Sequence, residues 1–201
     1  MSLKKLTDSI HRKAEQTKWS QLLVSGNMTH EQYGQYLYNL LYIYSALETK
    51  ANELNIFKDY PLLKNIQRVL PLTLDRGWFP YISGYEQSCH KFIDYINTFN
   101  KDQVLAHMYV RHFGDMYGGQ IIAKKVPDPR EHFSFKNRVE DTKDPNAFDE
   151  SLWTCHYQFK DKNEIIRLMR SLLKDEMADE AILGFQYAID LFHDLEKRFD
   201  L

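Results

Sequence analysis

Apolar residues recur at helical spacing along almost the whole chain, and only 8 glycines and 6 prolines interrupt the pattern. A spacing of three to four residues places apolar side chains on one face of a helix, where they can pack against a core. No segment of the sequence has the two-residue alternation of a half-buried strand. The pattern therefore predicts an all-α fold, and a length of 201 residues fits a single domain over 1–201.

Prolines, glycines and polar segments divide this pattern into predicted helices. One apolar stripe marks a first amphipathic helix: Leu3, Leu6, Ile10 and Ala14. A second helix is expected to begin at Thr29, where Gln32 completes a capping box, and to end near Leu54. The remaining helices are expected to follow Pro61, to run over about 80–99 and 102–126, and to close the chain over 163–174 and 179–199. Residues 128–145 are predicted to form a polar surface loop.

Charge, cysteine content and hydropathy exclude several classes of function. A net charge of −2 gives no electrostatic reason to bind nucleic acid. Cys89 and Cys155 are too few for a disulfide framework and are not spaced for a zinc site. No apolar run approaches the roughly 20 residues that span a bilayer. We therefore expect a soluble, cytoplasmic protein without a membrane anchor, and a monomer.

The segment YVRHFGDMYGGQIIAKK, residues 109–125, carries three glycines within a predicted helix. Each costs about 1 kcal/mol relative to alanine, so a compensating gain is expected. Gly114 and Gly118 are four residues apart and share one face, where either a flat ligand or a crossing helix could approach the backbone. Gly119 next to Gly118 also permits a kink. Asp115 adds a carboxylate that needs water or another hydrogen-bonding partner.

His11 is a second candidate for chemistry, because it shares a helix face with Lys4, Thr7 and Glu15. A neutral imidazole that projects from a helix can bind haem iron axially. Glu15, one turn onward, could accept a hydrogen bond from the other ring nitrogen, directly or through water. A single histidine in such a place is more often structural or solvent-facing, so its meaning depends on the neighbouring motifs.

Three ordered motifs and the last helix together resemble the haem oxygenase family. They are HRKAE at 11–15, YIYSALE at 42–48, RHFGDMYGGQ at 111–120 and EAILGFQYAIDLFHDL at 180–195. The resemblance spans about 3–199, nearly the whole chain. It implies a haem oxygenase-like helical bundle that holds haem between a proximal helix and a kinked distal helix.

The resemblance assigns roles to matching residues. His11 would be the proximal iron ligand, supported by Glu15. Gly114, Gly118 and Gly119 would lie against the distal face of haem. Asp115 would order the waters that deliver protons to the activated oxygen, in a network that includes Arg111 and Tyr44. Matching positions on the pocket wall and for the haem propionates are Phe185, Phe192, Lys4 and Arg167, with Arg170 as the alternative to Arg167.

Four positions depart from the usual family pattern. Tyr117 stands where a small serine is common, and His112 replaces a common tyrosine. Ala188 stands where some members have asparagine, and Asp8 where some have a basic residue. These changes leave His11, Gly114, Asp115 and Gly118 untouched, but they bear on the water network and on which ring edge opens.

The implied reaction is the oxidative opening of haem to biliverdin, carbon monoxide and ferrous iron, with haem as both substrate and cofactor. The α edge of the ring is the default expectation. The reaction uses O2, and its electrons are expected from outside because the sequence has no flavin or nicotinamide motif. Reduced ferredoxin is the expected donor for a soluble member of the family without a membrane tail. A bilin reductase could consume the product. A basic set could dock the donor or form a solvated face: Lys124, Lys125, Arg130, Lys136 and Arg138.

Three alternatives compete with this interpretation. A haem carrier on the same fold would need His11 but neither Asp115 nor the glycine face. A helical di-iron oxidase would need inward carboxylates and Glu-x-x-His pairs, and this chain has no Glu-x-x-His; Asp190 and His193 form an Asp-x-x-His instead. A thiamine-degrading relative would need an activated cysteine, and neither Cys89 nor Cys155 lies in such a context.

Overall fold

A computed structural model of the chain describes residues 3–80, 84–129 and 153–201. All regular elements within these ranges are helical, which confirms the predicted all-α class. The α-helices are α1 (Leu3–Leu6), α2 (Asp8–Glu15), α3 (Lys18–Ser25), α4 (His30–Glu53), α5 (Ile56–Asp59), α6 (Val69–Arg76), α7 (Gln87–Ile96), α8 (Lys101–Tyr117), α9 (Gly119–Ile122), α10 (Lys162–Leu172) and α11 (Ala178–Arg198). Short 3₁₀ helices cover Pro61–Ile66, Cys155–Tyr157 and Asp175–Met177.

Helix α4 crosses the core and begins where the sequence predicts. The Thr29 hydroxyl accepts a hydrogen bond from the Gln32 amide N–H, and the Gln32 side chain accepts one from the Thr29 N–H, which completes the capping box. The helix is apolar around most of its circumference, and side chains such as Tyr33, Leu37 and Tyr44 are fully buried. Burial on several sides lets α4 pack against α5, α6, α7 and α8.

Helix α11 packs against α8 and α7 on one side and against α2 and α3 on another. Gly184 allows close approach to α8, since a Cβ atom there would lie 3.0 Å from His107 Nδ1. The buried His107 ring is held by Glu180 at 2.9 Å. Because α11 contacts both α2 and α8, it fixes the relative placement of the two helices that carry the candidate residues.

Several predicted boundaries differ from those observed. The first helix divides at Thr7, whose hydroxyl bonds to the Leu3 carbonyl at 3.0 Å, as side chains of this type do at bends. The predicted helix over 102–126 divides at Gly118 into α8 and α9. The helix expected from about 80 begins at Gln87, and α3, α5 and α6 were not anticipated. Most of the expected polar loop lies outside the described residues.

Over the described ranges, no helix is both long and apolar enough to cross a bilayer.

The buried His112 ring should make the protein less stable in mild acid. Burial, followed by the charge of Arg68, lowers the pKa of His112 to about 3. A histidine in the unfolded chain has a pKa near 6.5, so it becomes protonated as the pH falls below that value, whereas the folded protein keeps His112 neutral. Acid therefore favours the unfolded state. We expect His112 to remove about 1.4 kcal/mol of unfolding free energy per pH unit below pH 6. Urea unfolding of His112→Phe should show a shallower loss between pH 6.5 and 5, and an unchanged slope would contradict this account.

Candidate functional site

His11 lies on α2 with its side chain 48% exposed. The ring stands edge-on to Phe185 of α11, with centroids 5.2 Å apart and planes at 85°. Its Nδ1 atom is 3.5 Å from Glu15 Oε1, which is longer than an ordinary direct hydrogen bond. A half-exposed imidazole with one apolar neighbour and one carboxylate neighbour is well placed to bind a ligand.

One face of α11 runs from His11 towards the interior. Phe185 contacts His11, and Phe192, two turns later, lies 6.3 Å from the ring of Tyr36 on α4. Ala188 lies between them along the helix and is buried. The side chains are mostly apolar along this line, so α11 contributes one apolar wall beside His11.

Gly114 and Gly118 form an open strip on α8. A Cβ atom at Gly114 would meet nothing within 4 Å, and one at Gly118 would meet only the Gly114 carbonyl oxygen, at 3.1 Å. Tyr117 and Ile121, which follow on this side, are 51% and 58% exposed. The strip therefore exposes helix backbone bordered by large apolar side chains, and a flat apolar ligand could cover it.

Gly119 differs from the other two glycines because it faces the protein interior. A Cβ atom there would lie 2.2 Å from Tyr157 Cδ1. Next to this contact, the Gln120 side chain donates a 2.6 Å hydrogen bond to the Tyr157 carbonyl. The observed environment of Gly119 is thus helix packing, and its predicted role at a ligand face stays a prediction.

Alanine at these glycines should have opposite effects on stability. Gly119→Ala should lower the free energy of unfolding by about 1–3 kcal/mol, because the new methyl overlaps the Tyr157 ring. Gly114→Ala should raise it by about 0.5–1 kcal/mol, because the space is open and alanine favours the helix. Urea unfolding of both variants without ligand measures the difference. Equal effects would contradict the division between a packing glycine and an open one.

Asp115 and Tyr44 form a hydrogen-bonded pair between α8 and α4. The Tyr44 hydroxyl donates to Asp115 Oδ2. Burial raises the pKa of Asp115, while the nearby His156, Tyr44, Arg68 and Arg111 oppose that rise. Burial and the Asp115 charge also raise the pKa of Tyr44 well above its ordinary value. The structure thus brings together two of the predicted residues in a pair that can hold and share a proton.

Arg111 and His112 extend this buried polar region along α8. Arg111 Nε and Nη2 are buried without hydrogen-bond partners among the described residues, and its guanidinium lies 5.2 Å from the Phe92 ring centroid. The His112 ring packs edge-on to Tyr44 at 5.0 Å, and its Nδ1 lies 3.0 Å from the Met108 carbonyl. Its Nε2 is likewise buried and without a partner in the described part of the chain. Buried groups of this kind usually bind internal water.

The candidate basic residues lie on exposed positions of α1 and α10: Lys4, Arg167 and Arg170. The positive charge of Arg170 and the Thr7 side chain each act on the Tyr109 hydroxyl, and both oppose the rise in its pKa caused by burial. Arg170 therefore lies beside α8 and the start of the first helix. Of the predicted basic docking set, Lys124 and Lys125 are exposed, and the other three residues lie outside the described residues.

Sequence reasoning missed a set of buried groups behind the Asp115–Tyr44 pair. Glu48 accepts hydrogen bonds from the backbone N–H groups of Arg68 and Val69 and so caps α6. Asp75, near the other end of α6, binds His156 of the 3₁₀ helix Cys155–Tyr157. Glu48 could have been found, because it is the last residue of the YIYSALE motif. Asp75 and His156 could not, because no sequence pattern links residues that are 81 positions apart.

The alternative sites gain nothing from the described residues. Burial raises the pKa of the Cys89 thiol to about 12 and that of Cys155 to about 11, so neither is an activated nucleophile. Within 3–80, 84–129 and 153–201, no group of three or more His, Cys, Asp or Glu side chains is arranged to hold a metal ion.

Comparison with known proteins gives consistent matches over nearly the whole chain. A family model described as "Heme oxygenase" matches residues 1–194. The chain is 26% identical to the heme oxygenase of Takifugu rubripes, covering 99% of this chain and 74% of that protein. It is also 26% identical to heme oxygenase 2 of Macaca fascicularis, covering 97% of this chain but only 64% of that protein.

A solved structure is similar as well. The crystal structure of heme oxygenase-2 from Synechocystis sp. PCC 6803, in complex with heme and NO, aligns with a TM-score of 0.76. The alignment covers 98% of this chain and 85% of that one at 22% identity. At that identity the likeness establishes a shared fold, in agreement with the predicted helical bundle.

Proposed function

This chain belongs to the haem oxygenase family, and on that premise we propose that it opens the haem ring to biliverdin, carbon monoxide and ferrous iron. The observation that carries the proposal is the Asp115–Tyr44 pair, next to a helix turn that has no side chain at Gly114. A carrier would gain nothing from a buried proton-holding pair at this place. When bound, haem supplies both the iron at which O2 is activated and the ring carbon that is oxidised.

The residues present fit haem. His11 offers a half-exposed imidazole, and Phe185 beside it offers an apolar surface to the ring. The open backbone at Gly114 and Gly118 leaves room for a flat group that a larger side chain would occupy. We propose that the first two hold the proximal face of haem and the two glycines the distal face.

His11 would bind the iron through Nε2, while Glu15 orients the ring from the Nδ1 side. Nδ1 lies 3.5 Å from Glu15 Oε1, so a small side-chain movement brings the two atoms within hydrogen-bond distance. A neutral imidazole, unlike a thiolate, does not push strongly for cleavage of the O–O bond. An imidazole ligand would therefore suit a reaction in which the haem ring itself is oxidised.

Asp115 and Tyr44 would hold the protons that the distal chemistry consumes. Because burial favours the neutral form of each group, both keep protons more readily than in water. Arg111 joins the same region with two buried N–H groups that water can satisfy. In this role Asp115 passes protons through ordered water, and Tyr44 fixes the carboxylate.

Basic side chains would pair with the propionates, with Lys4 on α1 and Arg167 or Arg170 on α10. The influence of Arg170 on Tyr109 supports a position beside α8. Tyr117 borders the open strip, and Lys162 Nζ lies 4.8 Å from its ring centroid. A large ring at this border could contact one edge of haem, so Tyr117 is the residue that bears most on which edge opens.

The remaining partners belong to the same proposal. The electrons come from outside the chain, and reduced ferredoxin is the proposed donor, with Lys124 and Lys125 as part of its docking surface. The product would pass to a bilin reductase. We propose a cytoplasmic monomer formed by one domain over 1–201.

Turnover with product identification tests the function directly. With haem, O2 and reduced ferredoxin, we expect loss of haem absorbance, one equivalent of carbon monoxide and biliverdin IXα as the main isomer. Iron-free protoporphyrin, which offers the same ring and propionates, should persist under the same conditions. Haem that is bound but unchanged would sink the proposal in favour of a carrier.

A further inference from the structure

His156 is a fully buried histidine whose imidazole has one bound and one unbound nitrogen. Its Nδ1 lies 2.6 Å from Asp75 Oδ2, and both side chains are inaccessible to solvent. Its Nε2 is buried and has no hydrogen-bond partner among the described residues. A buried ring nitrogen without a partner carries an energetic cost, so a functional or water-mediated role is expected.

The orientation of this ring is fixed from two ends of α6. The Asp75 carboxylate accepts hydrogen bonds from the backbone N–H groups of Cys155 and His156, each at 2.8 Å. It also contacts the ring nitrogen of His156. Arg68 donates to the carbonyl oxygens of His156 at 3.0 Å and Gln158 at 2.8 Å. Because N–H, C=O and ring are all held, the direction of Nε2 is set by the fold.

The held ring lies behind the Asp115 turn of α8. Asp115 lies in the last turn of α8, and Gly119 begins α9 directly after the break at Gly118. Gly119 packs directly on Tyr157. The Tyr157 ring is next to His156, with the two ring centroids 3.7 Å apart. Among the charges that oppose the raised pKa of Asp115, that of His156 has the largest effect.

We propose that His156 is a positioning residue for the proton chemistry, and that its Nε2 exchanges a proton through ordered water with the Asp115–Tyr44 pair. The inference rests on the proposed function, since it assumes that Asp115 passes on protons. It makes Asp75 and His156 a buried source of protons, on the side of Asp115 away from the open strip.

The transfer balances without any redox step. Nδ1 bonds to the Asp75 carboxylate, so the transferred proton would be the one on Nε2. The Nε2–H bond breaks, the proton moves through water to Asp115, and the imidazole is left neutral with a lone pair on Nε2. The ring would regain a proton from water that enters beside this segment, where a surface groove of about 430 Å³ is lined by Cys155 and Gln158 and by Arg68 of α6.

Charged and titratable groups face the Asp75–His156 pair from the helices packed around it. They are Tyr33 and Tyr44 on α4, Arg68 and Asp75 at α6, Arg111 on α8 and Tyr157 beside the ring. Among these groups, His156 has a ring held by a carboxylate and a buried nitrogen with no partner in the described residues. His107, bound to Glu180, has the same combination in a different part of the core.

The test compares His156→Gln with the full-length wild-type chain in two measurements. Glutamine keeps a donor for Asp75 but cannot carry a charge. Carbon-13 NMR of the ligand-free protein should show the pKa of Asp115 rising in the variant, because the opposing charge is gone. With haem bound, turnover should fall about tenfold, as is common when the partner of a catalytic group is removed, and its pH profile should follow the shifted Asp115.

His107→Gln is the matched control, since His107 is also fully buried and bound to a carboxylate, Glu180. It should leave the pKa of Asp115 unchanged. Asp75→Asn keeps the packing but removes the charge that stabilises the cationic ring, so it should shift Asp115 as His156→Gln does. A loss of thermal stability in His156→Gln with no change in Asp115 would overturn the inference. Because the NMR measurement needs no turnover, its outcome is separate from the failure of the proposed function.

Discussion

Replacement of Asp115 by asparagine should leave haem binding intact and slow ring opening by about 10²- to 10⁴-fold, the range that a positioned proton donor contributes. Asparagine matches the shape of aspartate and can still accept from the Tyr44 hydroxyl, but it cannot take up and release a proton at neutral pH. The measurement is single-turnover loss of haem absorbance under reductant and O2, with the haem affinity determined in parallel.

The control for this variant is Asp94→Asn, which makes the same change at an exposed position of α7. It should bind haem and turn it over at the wild-type rate. Tyr44→Phe should have a smaller effect than Asp115→Asn, because it removes the donor that fixes the carboxylate and leaves the carboxylate itself. Biliverdin formation at the wild-type rate in Asp115→Asn would refute the role of Asp115.

Replacement of His11 by alanine should abolish the axial iron–imidazole bond and reduce ring opening to about the background rate of unbound haem. The ring is half exposed, contacts Phe185 edge-on and lies 3.5 Å from Glu15, so the fold should tolerate its loss. Resonance Raman spectroscopy of the ferrous complex should lose the iron–histidine stretching band. Added free imidazole should restore the band and part of the activity.

His193→Ala removes an exposed histidine from α11 and is the matched control. It should keep both the iron–histidine band and the wild-type rate. An unchanged band in His11→Ala would show that another residue binds the iron. A lost band with full turnover would show that His11 is the ligand but that the reaction does not require it.

Helix bounds that depend on residues close together in the chain were predicted accurately from the sequence. The capping box at Thr29 and Gln32 predicted the start of α4, because both of its hydrogen bonds lie within one turn. The two closing helices also lie within a few residues of their predicted bounds. The predicted helix over 102–126 is interrupted at Gly118, where the glycine pair permits a break but does not require one.

The candidate residues were predicted unevenly. Tyr44 and Asp115 are 71 positions apart, and only the family resemblance suggested that they belong to one network; the structure joins them directly. The three glycines looked alike in the sequence, yet Gly114 is open whereas Gly119 packs on Tyr157. What distinguishes them is the neighbour on the far side of the helix, which sequence spacing does not reveal.

By itself, the sequence determined the helical class, the main helix starts and the identity of the groups that can do chemistry. These follow from periodicity and capping, which act between residues three or four positions apart. The tertiary structure decided which of those groups are buried, which glycine is open, and that Asp75 pairs with His156. Such pairings arise because buried polar groups must find partners wherever the packed helices bring them, however far apart they are in the chain.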